Sequence, residues 1–346
     1  MGSRDAARPA TLTRDLAGQE MSEPAPSCWI LSDGTAGMEA QAVGLAEAMG
    51  LKPVIKAIRP RRLLRLFPST GALPGVSPTG GGDPLDPPYP TLSITCGRRH
   101  AGACIALKRL SGGTIHTIHI QDPRVPSSLF DTLVVPDHDP LRGPNVITTT
   151  GSLNRISDAL LAEEAATFAA QVADLPRPLV AVNLGGDTQQ YKVDAAMAER
   201  VVSGLLDLLS HREVGLMITT SRRTGTPLME ALAPLIERPD TIVWTGDGPN
   251  PYLGFLGLAD AIIVTADSIN MVSEACSTGK PVHILALGEE PRRRAAFLDG
   301  VRAQDLARDF SGDLEHWSPS PLRETERVAA LLVEQLKGKG ILATNS

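Results

Sequence analysis

No apolar run in this 346-residue chain approaches the roughly 18 residues that a membrane-crossing helix needs, so a spanning segment is excluded. Basic charge is also in short supply. Thirty-three Lys and Arg against 39 Asp and Glu leave a net charge of −6, which argues against a nucleic-acid partner, whose phosphates call for a basic surface. Cysteine is scarce: Cys28, Cys96, Cys104 and Cys276 form no C-x-x-C pair and have no histidine at zinc-site spacing. No metal is expected, and buried reduced thiols are the simpler reading. The first 20 residues, "MGSRDAARPATLTRDLAGQE", lack the apolar centre of a secretory signal. Residues 1–27 therefore read as a disordered extension, and the chain as cytoplasmic.

What remains is ordinary soluble composition, 42% apolar and 21% charged, at a length that suggests two domains. From residue 28 strands alternate with helices. "CWILSD" (28–33), "PVIKAI" (53–58), "TLSITCG" (91–97), "TIHTIHIQD" (114–122), "DTLVVP" (131–136) and "NVITTT" (145–150) are the strands of a first half, 28–175. A helix over about 158–173 leads to the prolines of "DLPRPL". The pattern restarts in a second half, 176–346, with strands at "LVAVNLGGD", "VGLMITTS", "TIVWTG", "AIIVTAD" and "PVHILAL". Helices are expected there at 194–210, 227–237, 268–278 and 321–337. Such alternation means parallel sheets covered on both faces, an α/β chain of two Rossmann-like domains facing across a cleft. That is the GT-B architecture, which glycosyltransferases share with epimerases and some binding proteins. Two stretches interrupt the rhythm. The Pro/Gly-dense segment 68–90 reads as a long flexible loop. Before it, "RPRRLLRLF" (59–67) is basic and amphipathic, and fits either an anionic membrane surface or a solvated helix packed through its leucines.

Ligands of doubly wound sheets bind beyond the carboxyl ends of strands, so polar clusters there are the candidates. "ADAIIVTADSINMVSEACSTGKPV" (259–282) runs from a strand ending at Thr265 into a helix that Asp267 or Ser268 can cap. Free amides at Ser268–Asn270 and the helix dipole make an anion site, with Met271 in the same turn. Glu274, four residues after Asn270 on the same face, can accept both hydroxyls of a ribose; a plain capped helix with Glu274 in solvent is the alternative. Gly185, Gly186 and Asp187 end another strand. Ser221, Arg222, Arg223 and Thr224 end a third, where arginines can neutralise a diphosphate. Asn250 and Tyr252 sit where a base or ribose could rest. In the first half the matching set is Asp33, Gly34, Gly37, Glu39 and Gln41, then Arg98 and Arg99, then Gln121, Asp122 and Arg124, and lastly His138 and Asp139. His138 between Asp137 and Asp139 could be a general base oriented by a carboxylate, or a turn satisfied by its own aspartates. His116 and His119 point to opposite faces of a strand, which makes a shared metal improbable.

The motifs "SDGTAGMEAQAVGLAEA", "QDPR", "FDTLVVPDHD", "GPNVITTTG", "SRRTG" and "TADSINMVSEACSTGKPV" together resemble the mitochondrial-fission Elm-type family, over about residues 28–290. That family includes plant elongated-mitochondria proteins and bacterial relatives regarded as glycosyltransferases. The resemblance implies a metal-independent GT-B transferase, with a nucleotide sugar as donor substrate and a glycan or glycolipid acceptor, and no other cofactor. It places Arg222 and Ser268 at the phosphates and Glu274 at the ribose. The plant members also imply a rival role, an adaptor that recruits a fission protein, and an epimerase is a third. Two positions depart from the family pattern. Where relatives are expected to carry a basic residue at 35 and histidine at 38, this chain has Thr35 and Met38, so a base must come from Asp33, Glu39 or His138. Gly225 stands in place of an expected proline.

Overall fold

The computed structural model describes residues 27–188 and 192–343, so the extension expected over 1–27 lies, but for Ser27, outside the described residues. The first half contains β1 (Cys28–Ser32), α1 (Ala36–Ala48), β2 (Pro53–Ala57), α2 (Arg62–Leu66), β3 (Leu92–Cys96), α3 (Arg98–Leu110), β4 (His116–Ile120), β5 (Thr132–Pro136) and β6 (Val146–Thr149). They form one parallel sheet in the order β2-β1-β3-β4-β5-β6. Every residue of β1, β3, β4 and β5 is buried, as a sheet covered on both faces requires. Cys28 and Ile30 face α1, whereas Trp29 and Leu31 face α3, the period-two alternation of a strand.

Helix α4 (Asp158–Phe168), capped by Ser157, leads into the second half. There follow β7 (Leu179–Leu184), α5 (Ala195–His211), β8 (Gly215–Thr220), α6 (Thr226–Ala231), α7 (Ala233–Ile236), β9 (Thr241–Trp244), α8 (Tyr252–Leu258), β10 (Ala261–Thr265), α9 (Ile269–Ser277), β11 (Val282–Leu285), α10 (Arg292–Ala303), β12 (Arg308–Asp309) and α11 (Glu324–Gly338). Their sheet runs β12-β11-β10-β7-β8-β9, again parallel. In the first sheet the chain reverses its order between β1 and β3, and in the second between β7 and β10. A crevice opens at the carboxyl ends of such neighbours.

Three expectations need correction. Helices α8 and α10 and the short β12 were not foreseen. Segment 68–90 is not a free loop. A 3₁₀ turn spans Pro68–Ala72, Leu85 is buried beside Trp29, and Arg109 donates to the carbonyls of Gly71 (3.2 Å) and Val76 (2.6 Å). Last, α11 does not pack on its own half. Its Val328, Ala329, Leu332 and Leu336 join the core formed by Ile30, Leu45, Met49 and Ile94. The reason is area: six strands about 4.8 Å apart span well over 20 Å, and a single helix about 10 Å wide cannot cover that face. Helix α11 lies beside α1 and covers the rest.

Candidate active site

At the β7/β10 crevice the chemistry is organised by one carboxylate. The Asp267 side chain is fully buried, pairs with Arg223 Nη1 at 2.6 Å, and accepts from Thr265 Oγ1 (2.7 Å) and the Gly186 amide (3.2 Å). A Cβ on Gly185 would stand 2.1 Å from its Oδ1, which is why the strand must end in a residue without a side chain. Thr224 Oγ1 donates to the Gly185 carbonyl (2.6 Å), Arg223 N to Ser221 Oγ (3.2 Å), and Asp187 N to the Arg223 carbonyl (2.9 Å). Gly185, Gly186, Asp187, Ser221, Arg223, Thr224, Thr265 and Asp267 are thus one network. Arg222 is exposed and stands outside it.

Beside this network Ser268 caps α9, its Oγ accepting from Met271 N at 3.3 Å. A cavity of about 350 Å³ opens over that helix start, lined by Arg223, Ser268, Asn270, Pro291, Arg293 and Arg294 among others. Each of these three guanidinium groups is paired with a carboxylate, Asp267, Asp139 and Glu290 in turn, so what the concavity offers an anion is their further N–H donors beside a helix N-terminus. Arg293 and Arg294 were missed in the sequence because they lie on the unforeseen α10; the signal was "PRRRAAF" itself, a Pro–Arg start after a strand. Arg294 Nη1 donates to the Asp267 carbonyl (3.0 Å) and its Nε contacts Glu290.

One turn deeper on α9, Glu274 Oε2 accepts from the Tyr252 hydroxyl at 2.6 Å. Burial raises the Glu274 carboxyl to about 7, with the Tyr252 hydrogen bond pulling the other way. Tyr252 is held at the start of α8, where its amide donates to Asn250 Oδ1 (3.0 Å), and Asn250 itself is exposed. Met271 is half-buried against the second-half core.

The first half presents Asp33 at the β1/β3 crevice. Its Oδ1 accepts from Thr35 N (3.2 Å) and Oγ1 (2.6 Å), with His100 Nε2 at 3.5 Å and Arg99 at 3.9 Å. Partial burial raises the Asp33 pKa, but the Thr35 bonds and the charges of His100 and Arg99 outweigh it and hold the carboxyl below its usual range. His100, also missed, is buried, and its Nδ1 bonds the Cys96 carbonyl (2.7 Å), which turns Nε2 toward Asp33. Glu39 is occupied by Ser32 Oγ at 2.5 Å. Met38 presses on Gly97 (φ +81°), where a Cβ would meet its sulfur at 2.6 Å. Gln121 and Arg124 adopt positive φ (76° and 60°), local strain of a kind that gathers at binding sites, and Asp122 bonds the Arg124 amide (2.8 Å). Arg98 is exposed at the same rim.

His138 is not oriented by its neighbours. Asp139 is buried and pairs with Arg293 at 2.6 Å, Asp137 faces Arg142 at 3.6 Å, and the imidazole packs edge-on against Phe297 of α10. Burial, and then Arg293, lower its pKa. The two halves meet at the cleft floor. Gln41 Nε2 reaches Asn270 Oδ1 (3.4 Å), and a Cβ on Gly37 would lie 2.7 Å from Asn270 Nδ2. The starts of α1 and α9 therefore face each other, with Asp33 on one side and the arginine cavity on the other.

A family model described as Mitochondrial fission ELM1 matches residues 36–336. The chain belongs to that family. It is 32% identical over 278 residues to the mitochondrial fission protein ELM1 of Arabidopsis thaliana, a match covering 72% of this chain and 65% of the plant protein. It thus spans just under two thirds of that relative. Among solved structures, UDP-GlcNAc 2-epimerase from Methanocaldococcus jannaschii superposes with a TM-score of 0.52 at 14% identity, covering 89% of this chain and 99% of the other. The same enzyme in complex with UDP-GlcNAc and UDP gives 0.50 at 13%, with the same coverage. At these identities the likeness is one of fold: this ELM1-family chain has the two facing Rossmann-like domains expected of GT-B proteins.

Proposed function

We propose that this ELM1-family chain is a GT-B glycosyltransferase that moves a sugar from a nucleoside diphosphate to a glycan or glycolipid acceptor of the cell envelope. The observation that carries the reading is the cavity over the α9 start, where helix amides meet Arg223, Arg293 and Arg294, with Glu274 one turn deeper on the same helix. The diphosphate lies against the arginines and amides, and the ribose hydroxyls reach Glu274 in place of the Tyr252 hydroxyl. As the bond from the anomeric carbon to the diphosphate oxygen breaks, its electron pair leaves with the diphosphate, whose growing charge the guanidinium groups stabilise. The acceptor oxygen bonds the anomeric carbon and gives its proton to Asp33, which Thr35 and His100 hold as a carboxylate. That the related fold of the M. jannaschii enzyme was solved with UDP and UDP-GlcNAc supports the donor class.

A second reading draws on the name of the plant relative: an adaptor in mitochondrial fission, with the cavity left unused. Calorimetric titration with UDP, GDP, ADP and CMP separates them. The transferase reading expects one nucleotide to bind, and Glu274→Ala to weaken it about tenfold or more, about 1.4 kcal/mol. A folded protein that binds none of them favours the adaptor. Incubation with the matching nucleotide sugar then tells transfer from epimerisation by the product.

A further inference from the structure

Between Glu47 and Asp83 the chain has no acidic residue, yet it carries Lys52, Lys56, Arg59, Arg61, Arg62 and Arg65. In a molecule of net charge −6 this is a concentrated positive field. The same stretch holds most of the misplaced hydrophobicity. Nine large apolar side chains are exposed among the described residues, and Val54, Ile55, Leu63, Leu66, Phe67 and Leu73 are six of them, Phe67 at 62%. Scattered exposed leucines need no explanation, but six gathered within twenty residues and interleaved with arginines do.

Helix α2 is anchored in a way that leaves those side chains outward. Leu64 is fully buried, and its backbone packs so closely on α3 that a Cβ on Gly102 would meet the Leu64 carbonyl at 2.7 Å. Gly71 of the following 3₁₀ turn is equally tight, with the Gly102 carbonyl 2.3 Å from its would-be Cβ. With Leu64 turned in, Leu63, Leu66 and Phe67 point away from the protein. Gly102 lies four residues into α3 from Arg98 at the cleft rim, about 6 Å along the helix. The patch is therefore beside the first-half rim that carries Asp33, Arg98 and Arg99.

We propose that residues 59–73 dock on an anionic phospholipid bilayer, with Leu63, Leu66 and Phe67 entering the headgroup region and Arg59, Arg61, Arg62 and Arg65 pairing with lipid phosphates. Charge complementarity selects the occupant: a second copy of this acidic chain offers no apolar anionic face of this kind among the described residues, whereas a bilayer offers both properties. The acceptor is then lipid-borne, and docking brings its headgroup to the rim at Asp33. That last step rests on the transferase reading; the docking itself does not.

The test is co-sedimentation of the full chain with phosphatidylcholine vesicles, plain or with about 30% phosphatidylglycerol. Binding is expected only to the anionic vesicles, and should weaken sharply in about 0.5 M salt, where the Debye length falls to a few ångströms. Each basic residue near the surface contributes about fivefold, so Arg61→Glu/Arg62→Glu/Arg65→Glu should lower partitioning at least tenfold, and Leu63→Ser/Leu66→Ser/Phe67→Ser similarly. Both variants should melt where the wild type does, since every substituted side chain is exposed. Wild-type protein that ignores anionic vesicles at low salt overturns the proposal. So do folded variants that bind as the wild type does, or a serine variant whose one effect is to dissociate an oligomer. If vesicles bind while no nucleotide does, the transferase reading falls and the docking surface stands.

Discussion

The starts of α1 and α9 are the same device built with opposite charge. Each follows a buried strand at a reversal of sheet order, and each opens on the cleft. Around α9 the carboxylate, Asp267, is fully buried and spoken for by Arg223, Thr265 and a glycine amide, so the groups that line the cavity are guanidinium N–H donors. Around α1 the carboxylate, Asp33, is partly open, and its nearest arginine stands 3.9 Å away and half-exposed. One topology thus yields an anion cradle on one side and an available carboxylate on the other. What differs is whether the strand-end acid is consumed by its surroundings.

Substitutions can break that contrast, and the largest effect is expected at Gly185. Gly185→Ala would drive a methyl into the Asp267 carboxylate and disrupt a buried pair, a loss of about 3 kcal/mol or more by urea unfolding. The matching Gly34→Ala meets no atom within 4 Å and suffers only from its φ of +81°, about 1 kcal/mol. Next, Arg223→Ala strands a buried carboxylate. The guanidinium is itself 39% exposed, so the loss should sit near 2 kcal/mol, below the usual range for breaking a buried pair. Arg99→Ala should change stability by less than about 0.5 kcal/mol. Equal effects at the two arginines would refute the contrast.

A smaller effect comes from pH. Glu274 titrates near 7 in the folded chain against an ordinary 4.5, so folding favours its protonated form. Its contribution to stability is complete below about 4.5 and is lost as pH rises through 7, a component that melting scans of Glu274→Gln should lack. Ribose hydroxyls favour the ionised form, so nucleotide affinity should rise by up to about tenfold from pH 6 to 8 in the wild type and stay flat in Glu274→Gln. An effect as small as that at Arg99 belongs to the Arg155–Glu47 pair, whose side chains are about half exposed: Arg155→Ala should cost no more than about 0.5 kcal/mol in thermal unfolding.

The strands were legible because fully buried parallel strands are short apolar runs, and "LSITC" or "AIIVT" has few other uses. Helix α8 was hidden by its glycines. Gly254 and Gly257 lower helix propensity, yet a Cβ on either would strike Phe168 or the Leu161 carbonyl of α4, at 2.4 Å in each case. Close packing put them there, and close packing does not show in a linear pattern. Helix α10 was masked by its opening arginines, and with it went Arg293 and Arg294, two of the three guanidinium groups around the cavity. His100 was passed over because its role depends on the Cys96 carbonyl four residues earlier and on Asp33 from another strand. Spacing alone does carry Asn270 and Glu274 to one face of α9, but not the tyrosine that covers the carboxylate.

The return of α11 to the first sheet bears on how the chain is made. The first half leaves the ribosome early, with β1, β3 and α1 ready to collapse, but the side chains that finish covering that sheet are Val328 to Leu336. Until α11 has been made, an apolar stripe of the nascent first half has nothing of its own chain to cover it. A chain cut anywhere between β6 and α11 would keep all six strands of the first sheet and leave part of one face bare.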